Sequence, residues 1–107
     1  MNVALPSETD AMLSQAREAA AMLQLLANER RLLVLCHLAG AGELPVGALS
    51  GMIGLSQSAL SQHLARLRAD GLVATRRDGQ SVFYRLADPR VARLLALLRE
   101  LYCPPEP

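Results

Sequence analysis

Apolar residues recur at helical spacing from Asp10 to Leu26, at Ala11, Met12, Ala16, Ala19, Ala20, Met22, Leu23 and Leu26, which predicts a first amphipathic helix. A second helix is expected over Glu29 to Leu38, opened by Asn28 as N-cap with Glu29 in its first turn and closed by Gly40 and Gly42. Pro45 opens a short third helix to about Met52, and Gly54 makes the turn that follows. Ser56 caps a fourth helix that runs to about Asp70 and stops at Gly71. The period then changes. Val73 to Arg76 and Ser81 to Leu86 read as strands joined by Arg77-Asp78-Gly79-Gln80, in which Asp-Gly is a strong hairpin signal. Asp88 caps a last helix with Pro89 in its first position, running to about Tyr102, and Pro104 and Pro105 stop it. The pattern predicts a mainly α chain with a small β-hairpin, in the order α-α-α-α-β-β-α. One domain is expected over 9–103, with a flexible arm at 1–8 and a tail at 104–107.

Composition narrows this picture. A chain of 107 residues has room for one core but not for a separate substrate domain. Apolar residues make up 51% and aromatics 3%, so the core must be built from Leu, Ala, Val and Met, which suits packed helices. The formal net charge is only +1, yet the charge is unevenly spread. Between residues 66 and 85, Arg66, Arg68, Arg76, Arg77 and Arg85 face only Asp70 and Asp78; before residue 30 acids outnumber bases. A basic patch on an otherwise balanced domain is the footprint of a phosphate-binding face. Neither a secretory signal nor an apolar run of about 20 residues is visible, so a cytoplasmic protein without membrane contact is expected. In that reducing compartment Cys36 and Cys103 are not expected to form a permanent disulfide; they are either packing residues or a reactive pair.

The fourth helix carries the most informative surface. With Ala59, Leu60, Leu64 and Leu67 facing inward, Gln57, Ser58, Ser61, Gln62 and Arg66 lie outward, with His63 beside them and Ser56 at the cap. Hydroxyls, amides and an Arg are the groups that bond base edges and phosphates, whereas an ordinary solvated helix face carries Glu and Lys. The hairpin tip adds Arg76, Arg77 and Gln80, expected to reach the neighbouring DNA backbone. Nothing forms a Cys-x-x-Cys motif or a nucleophile–base–orienter set, so no enzyme is expected.

From about Met12 to Tyr102 the chain resembles ArsR/SmtB-family winged-helix repressors. The resemblance rests on Leu26-Ala27-Asn28-Glu29-Arg30-Arg31-Leu32 and Leu55-Ser56-Gln57-Ser58. It continues through Ser61, Gln62, His63, Leu64, Leu67, Arg68, Gly71, Leu72 and Val73 to Arg77-Asp78-Gly79-Gln80 and Tyr84. It implies a homodimer joined through the first and last helices, whose two recognition helices read a near-palindromic operator about one helical turn apart. It also implies repression relieved by an inducer. One metal site of the family is a Cys-Val-Cys before the turn, but the matching stretch Leu44-Pro45-Val46-Gly47-Ala48-Leu49 has no cysteine. Another uses Asp and His on the last helix, where this chain keeps Asp88 but has no His. Neither a metal nor another cofactor is therefore expected.

The two cysteines remain. Taken alone, Cys36 reads as a small buried hydrophobe, and Cys103, at a helix end beside Pro104, as partly accessible. Their placement, with the run Ala27 to Leu38, resembles the persulfide-sensing branch of the family, the BigR/SqrR repressors. That implies a dithiol that reactive sulfur species convert to a di- or polysulfide bridge, releasing operator DNA and derepressing sulfide-detoxification genes. A peroxide, electrophile or metal(loid) sensor using the same thiols is the alternative. His37 adjoins Cys36, but neighbouring helix positions point about 100° apart, and it reads as structural or dimer-facing.

Overall fold

The computed structural model describes residues 8–103. Its elements are α1 (Glu8–Leu26), α2 (Glu29–Ala41), β1 (Leu44–Pro45), α3 (Val46–Ile53), α4 (Gln57–Ala69), β2 (Val73–Asp78), β3 (Ser81–Leu86) and α5 (Pro89–Tyr102). Of the arm expected at 1–8, only Glu8 is among the described residues, and it begins α1; the tail expected at 104–107 lies outside them.

Three of the helices open on the caps expected. The Asn28 side chain accepts from the backbone N–H groups of Arg30 and Arg31 at 3.0 and 3.1 Å. Ser56 Oγ accepts from Ala59 N–H at 3.1 Å, and Asp88 Oδ1 from Arg90 N–H at 2.9 Å. Each cap satisfies amide donors that the helix itself cannot.

Three details differ from the sequence expectation. α2 continues through Gly40 to Ala41, because Gly40 keeps helical backbone and Gly42 caps the helix at φ 86°. The first hairpin strand is longer, running to Asp78 opposite Ser81, so that only Gly79 and Gln80 form the turn, while the second spans Ser81–Leu86 as expected. The sheet also has three strands, in the order β1-β3-β2, with Leu44 opposite Tyr84 and Pro45 opposite Phe83. A two-residue strand has no period to read, and its proline is tolerated because β1 is an edge.

The core gathers Val34, Leu35 and Leu38 of α2, Leu49 and Ile53 of α3, Leu60, Leu64 and Leu67 of α4, and Val91 and Leu95 of α5. Ala59 is only half-buried. Leu26 is the fully buried residue of α1, with Met22 and Leu25 packed partly buried against the core, while Met12, Leu13 and Leu23 are exposed, as are Leu97, Leu101 and Tyr102 of α5. The radius of gyration, 17.2 Å, exceeds the roughly 13 Å of a compact domain of about 100 residues, which fits a helix projecting from the body. Among the described residues no helix is long and apolar enough to cross a membrane.

Candidate functional site

The turn between α3 and α4 is fixed on several sides. Gly54 adopts the left-handed conformation (φ 78°, ψ 29°), which a side chain would strain, and its N–H bonds the Ser50 carbonyl at 2.9 Å. The Ser50 hydroxyl donates to the Leu55 carbonyl, and Arg30 Nη1 of α2 donates to the Ile53 carbonyl at 3.2 Å. α4 is therefore held at a set angle to α3 and tied back to α2. With Leu60, Leu64 and Leu67 buried, Gln57, Ser58, Ser61, Gln62 and Arg66 are exposed together, and His63 is half-buried at their margin. Ser56 lies at the start of this face with its oxygen engaged in the cap. Arg66 Nε donates to Asp70 Oδ2 at 2.8 Å along the helix.

The hairpin stands beside α4, and a groove of about 350 Å³ between them is lined by Val46, Ser61, Arg68, Thr75, Arg76, Arg77, Val82 and Tyr84. Arg77 and Gln80 are exposed at the tip. Arg76 is differently placed from the free phosphate contact expected of it. Its Nε and Nη2 donate to Glu43 Oε2 and Oε1 at 2.7 and 2.6 Å, and its guanidinium lies 4.6 Å from the Phe83 ring centroid. That hydrogen-bonded pairing holds the Glu43 carboxyl below its usual range and raises Arg76. Sequence reasoning missed Arg68, Thr75 and Glu43 as neighbours of this groove. Arg68 was visible in the local charge excess and among the residues that carry the resemblance, but not as a DNA contact, and Glu43 carried no signal at all.

The structure brings the two cysteines to one place. Both are free and exposed thiols. They line a single cavity of about 720 Å³ between α2 and α5, with Leu32, Ala39, Leu86, Leu95, Arg99 and Tyr102 among its walls. Cys36 is therefore not the buried packing residue that its composition alone suggests. The inward face of α2 is taken by Val34, Leu35 and Leu38, whereas Leu32, Cys36 and Ala39, a turn apart, form the stripe facing α5. Cys103 caps the end of α5, its N–H bonding the Arg99 carbonyl at 2.9 Å. Partial burial pushes the Cys36 thiol up, charge on Cys103 adds to this, and the Arg99 guanidinium opposes it. His37 is half-buried and is not among the cavity walls. Among the described residues no three His, Cys, Asp or Glu side chains are grouped to hold a metal ion.

A family model described as bacterial regulatory protein, arsR family, matches residues 28–75. The transcriptional activator HlyU of Vibrio cholerae is 50% identical over 92% of this chain and 90% of its own. The biofilm growth-associated repressor of Agrobacterium fabrum is 44% identical over 90% of this chain and 81% of its own. Among solved structures, reduced HlyU from Vibrio cholerae superposes with a TM-score of 0.83 at 52% identity, covering 87% of this chain and 97% of that one. The transcriptional repressor BigR from Xylella fastidiosa superposes at 0.79 with 39% identity, covering 89% and 93%.

Proposed function

This chain belongs to the arsR family of bacterial regulatory proteins, winged-helix regulators that bind operator DNA and typically act as dimers, and from that premise we propose that it is a repressor switched by its two thiols. The observation that carries the reading is the shared cavity: Cys36 on α2 and Cys103 at the end of α5 open into the same space. The outer face of α4, from Gln57 to Arg66, enters the major groove, and the hairpin lies along the adjacent backbone as a wing. The exposed apolar residues of α1 and α5 form the dimer interface, the dimer's two-fold symmetry calls for a near-palindromic operator, and the chain acts in the cytoplasm.

The inducer is a reactive sulfur species. A cysteine thiolate attacks the sulfane sulfur of a hydropersulfide, expelling the carrier thiolate and becoming a persulfide itself. The second thiolate then attacks the cysteine-bound sulfur of that persulfide, and hydrosulfide leaves, closing a disulfide. If the first cysteine has taken up a second sulfane sulfur, attack on the middle sulfur gives a trisulfide, again releasing hydrosulfide. The sulfane sulfur is thus the oxidant, and no other is consumed. Because α2 also holds the end of α3 through Arg30, a bridge between α2 and α5 alters how the reading helices sit relative to the dimer interface. A coupling of about 3 kcal/mol would lower operator affinity roughly a hundredfold. Genes for sulfide detoxification are the targets this chemistry suits.

Intact mass after anaerobic treatment with a persulfide donor, with binding to the DNA upstream of its own gene measured on each sample, tests the proposal. The expected result is added sulfur linking Cys36 to Cys103, with DNA release that Cys36→Ser and Cys103→Ser each abolish. Release by hydrogen peroxide, an electrophile or arsenite instead would assign another inducer to the same thiols. Unchanged mass and binding under every reagent would remove the thiol switch.

A further inference from the structure

Three guanidiniums, those of Arg68, Arg76 and Arg77, border the groove between α4 and the wing, and only one of them is committed. Arg76 gives two hydrogen bonds to the Glu43 carboxylate, stacks on Phe83 and lies 3.9 Å from Asp78. Arg68 and Arg77 have no ion pair or side-chain hydrogen bond to another described residue. Glu43 is itself held at both ends, between the Gly42 cap of α2 and strand β1, which pairs with β3. A carboxylate fixed in this way neutralises Arg76 and fixes where it points. The groove also offers two hydroxyls. Ser61 lies seven residues before Arg68 on the same face of α4, and Thr75 lies two residues before Arg77 on the same side of β2. Two free cations and two hydroxyl donors around about 350 Å³ match one tetrahedral anion.

We propose that this groove seats one backbone phosphate of the bound duplex, held by Arg68 and Arg77 with Ser61 and Thr75. Glu43 is a positioning residue that keeps Arg76 out of the contact. The proposal rests on the DNA-binding reading above and adds to it an assignment of charge. A paired Arg76 displaces no counterion from DNA, whereas Arg68 and Arg77 together displace that of the phosphate they hold.

The test is the slope of binding against salt, from about 50 to 200 mM, on the DNA upstream of the gene and on a scrambled duplex of the same composition. Arg68→Ala and Arg77→Ala should each weaken both duplexes alike and flatten the slope, and the two together should flatten it by about 0.9 per protomer, the share of the one phosphate they hold. Glu43→Gln, which keeps the shape and removes the charge, should steepen the slope by releasing Arg76. The neutral double replacement of Glu43 and Arg76 by Gln should restore the wild-type slope, so the steepening is traced to Arg76. Thermal unfolding of each variant separates these effects from loss of fold, and Glu43→Gln alone carries the readout if the double variant unfolds.

The proposal is overturned if the double variant flattens the slope as much as Arg77→Ala does, since Arg76 would then be a phosphate contact. It is also overturned if Arg68→Ala and Arg77→Ala leave the slope unchanged, or weaken one duplex only, as a base contact would. A wild-type chain that bound neither duplex at low salt would remove the DNA-binding reading and this assignment together.

Discussion

At the scale of single residues, Asp88 illustrates how much depends on one carboxylate. Its Oδ1 accepts from Arg90 N–H at 2.9 Å and from Arg90 Nε at 3.2 Å, while Oδ2 accepts from Nη2 at 2.9 Å. The Arg90 side chain, more than the backbone bond, holds this carboxyl below its usual range. Asp88→Ala should therefore destabilise the fold by about 0.5–2 kcal/mol, read as a lower urea midpoint at pH 7, and Asp88→Asn by less, because Asn still caps. A depressed pKa stabilises above the unfolded value of about 3.9 and loses that contribution as pH falls through the folded one. The gap between wild type and Asp88→Asn should therefore narrow as the pH is lowered below the unfolded value. Arg99 opposes burial at Cys36 in the same electrostatic sense. Arg99→Ala should shift the pH dependence of Cys36 alkylation upward and slow the reaction at pH 8, measured by mass against Cys103 in the same sample. Asn28, Ser56 and Asp88 were legible in the sequence because capping joins residues two or three apart. The partner of Arg76 was not, because Glu43 lies 33 positions away and is brought opposite only by the finished sheet.

Elements were legible in proportion to their length. Five helices and the hairpin announced themselves through a repeated apolar stripe or a turn signal, whereas β1, with two residues, exists only because β3 supplies its partner. The meeting of α2 and α5 at the cysteines was legible only through the resemblance, and the apolar pattern alone was silent on it for a related reason. Which stripe of a helix meets which neighbour is decided by packing, and Cys36 sits beside the core stripe instead of on it. The helix–turn–helix depends most on its corner. Gly54→Ala places a side chain at φ 78° and should cost about 1–2 kcal/mol in chemical unfolding, with operator affinity falling as α4 loses its angle to α3. Operator affinity that held in a variant so destabilised would show that α4 takes its orientation from the core beneath it and not from the turn.

At the scale of the whole molecule, the chain is visibly incomplete as a folded unit. Met12, Leu13 and Leu23 of α1 and Leu97 and Leu101 of α5 have no cover, and a cleft of about 660 Å³ between the two helices is lined by Met22, Leu23, Leu94 and Leu97. The amphipathic pattern of α1 was plain in the sequence, but its apolar side has too little of its own chain to rest on. Leu97→Glu should shift sedimentation equilibrium toward monomer and weaken operator binding, while a core change such as Leu64→Ala should cost about 2–5 kcal/mol and lower stability without that selectivity. The projecting helix has a consequence for dosage. If α1 is fully ordered only against a second copy, its folding and the pairing of two chains are one equilibrium, and the melting temperature must rise with protein concentration. In the dilute limit, halving the number of chains quarters the number of pairs able to grip both halves of an operator. A small fall in synthesis, or one uneven cell division, would then thin the pairs available to operator DNA out of proportion to the chains lost.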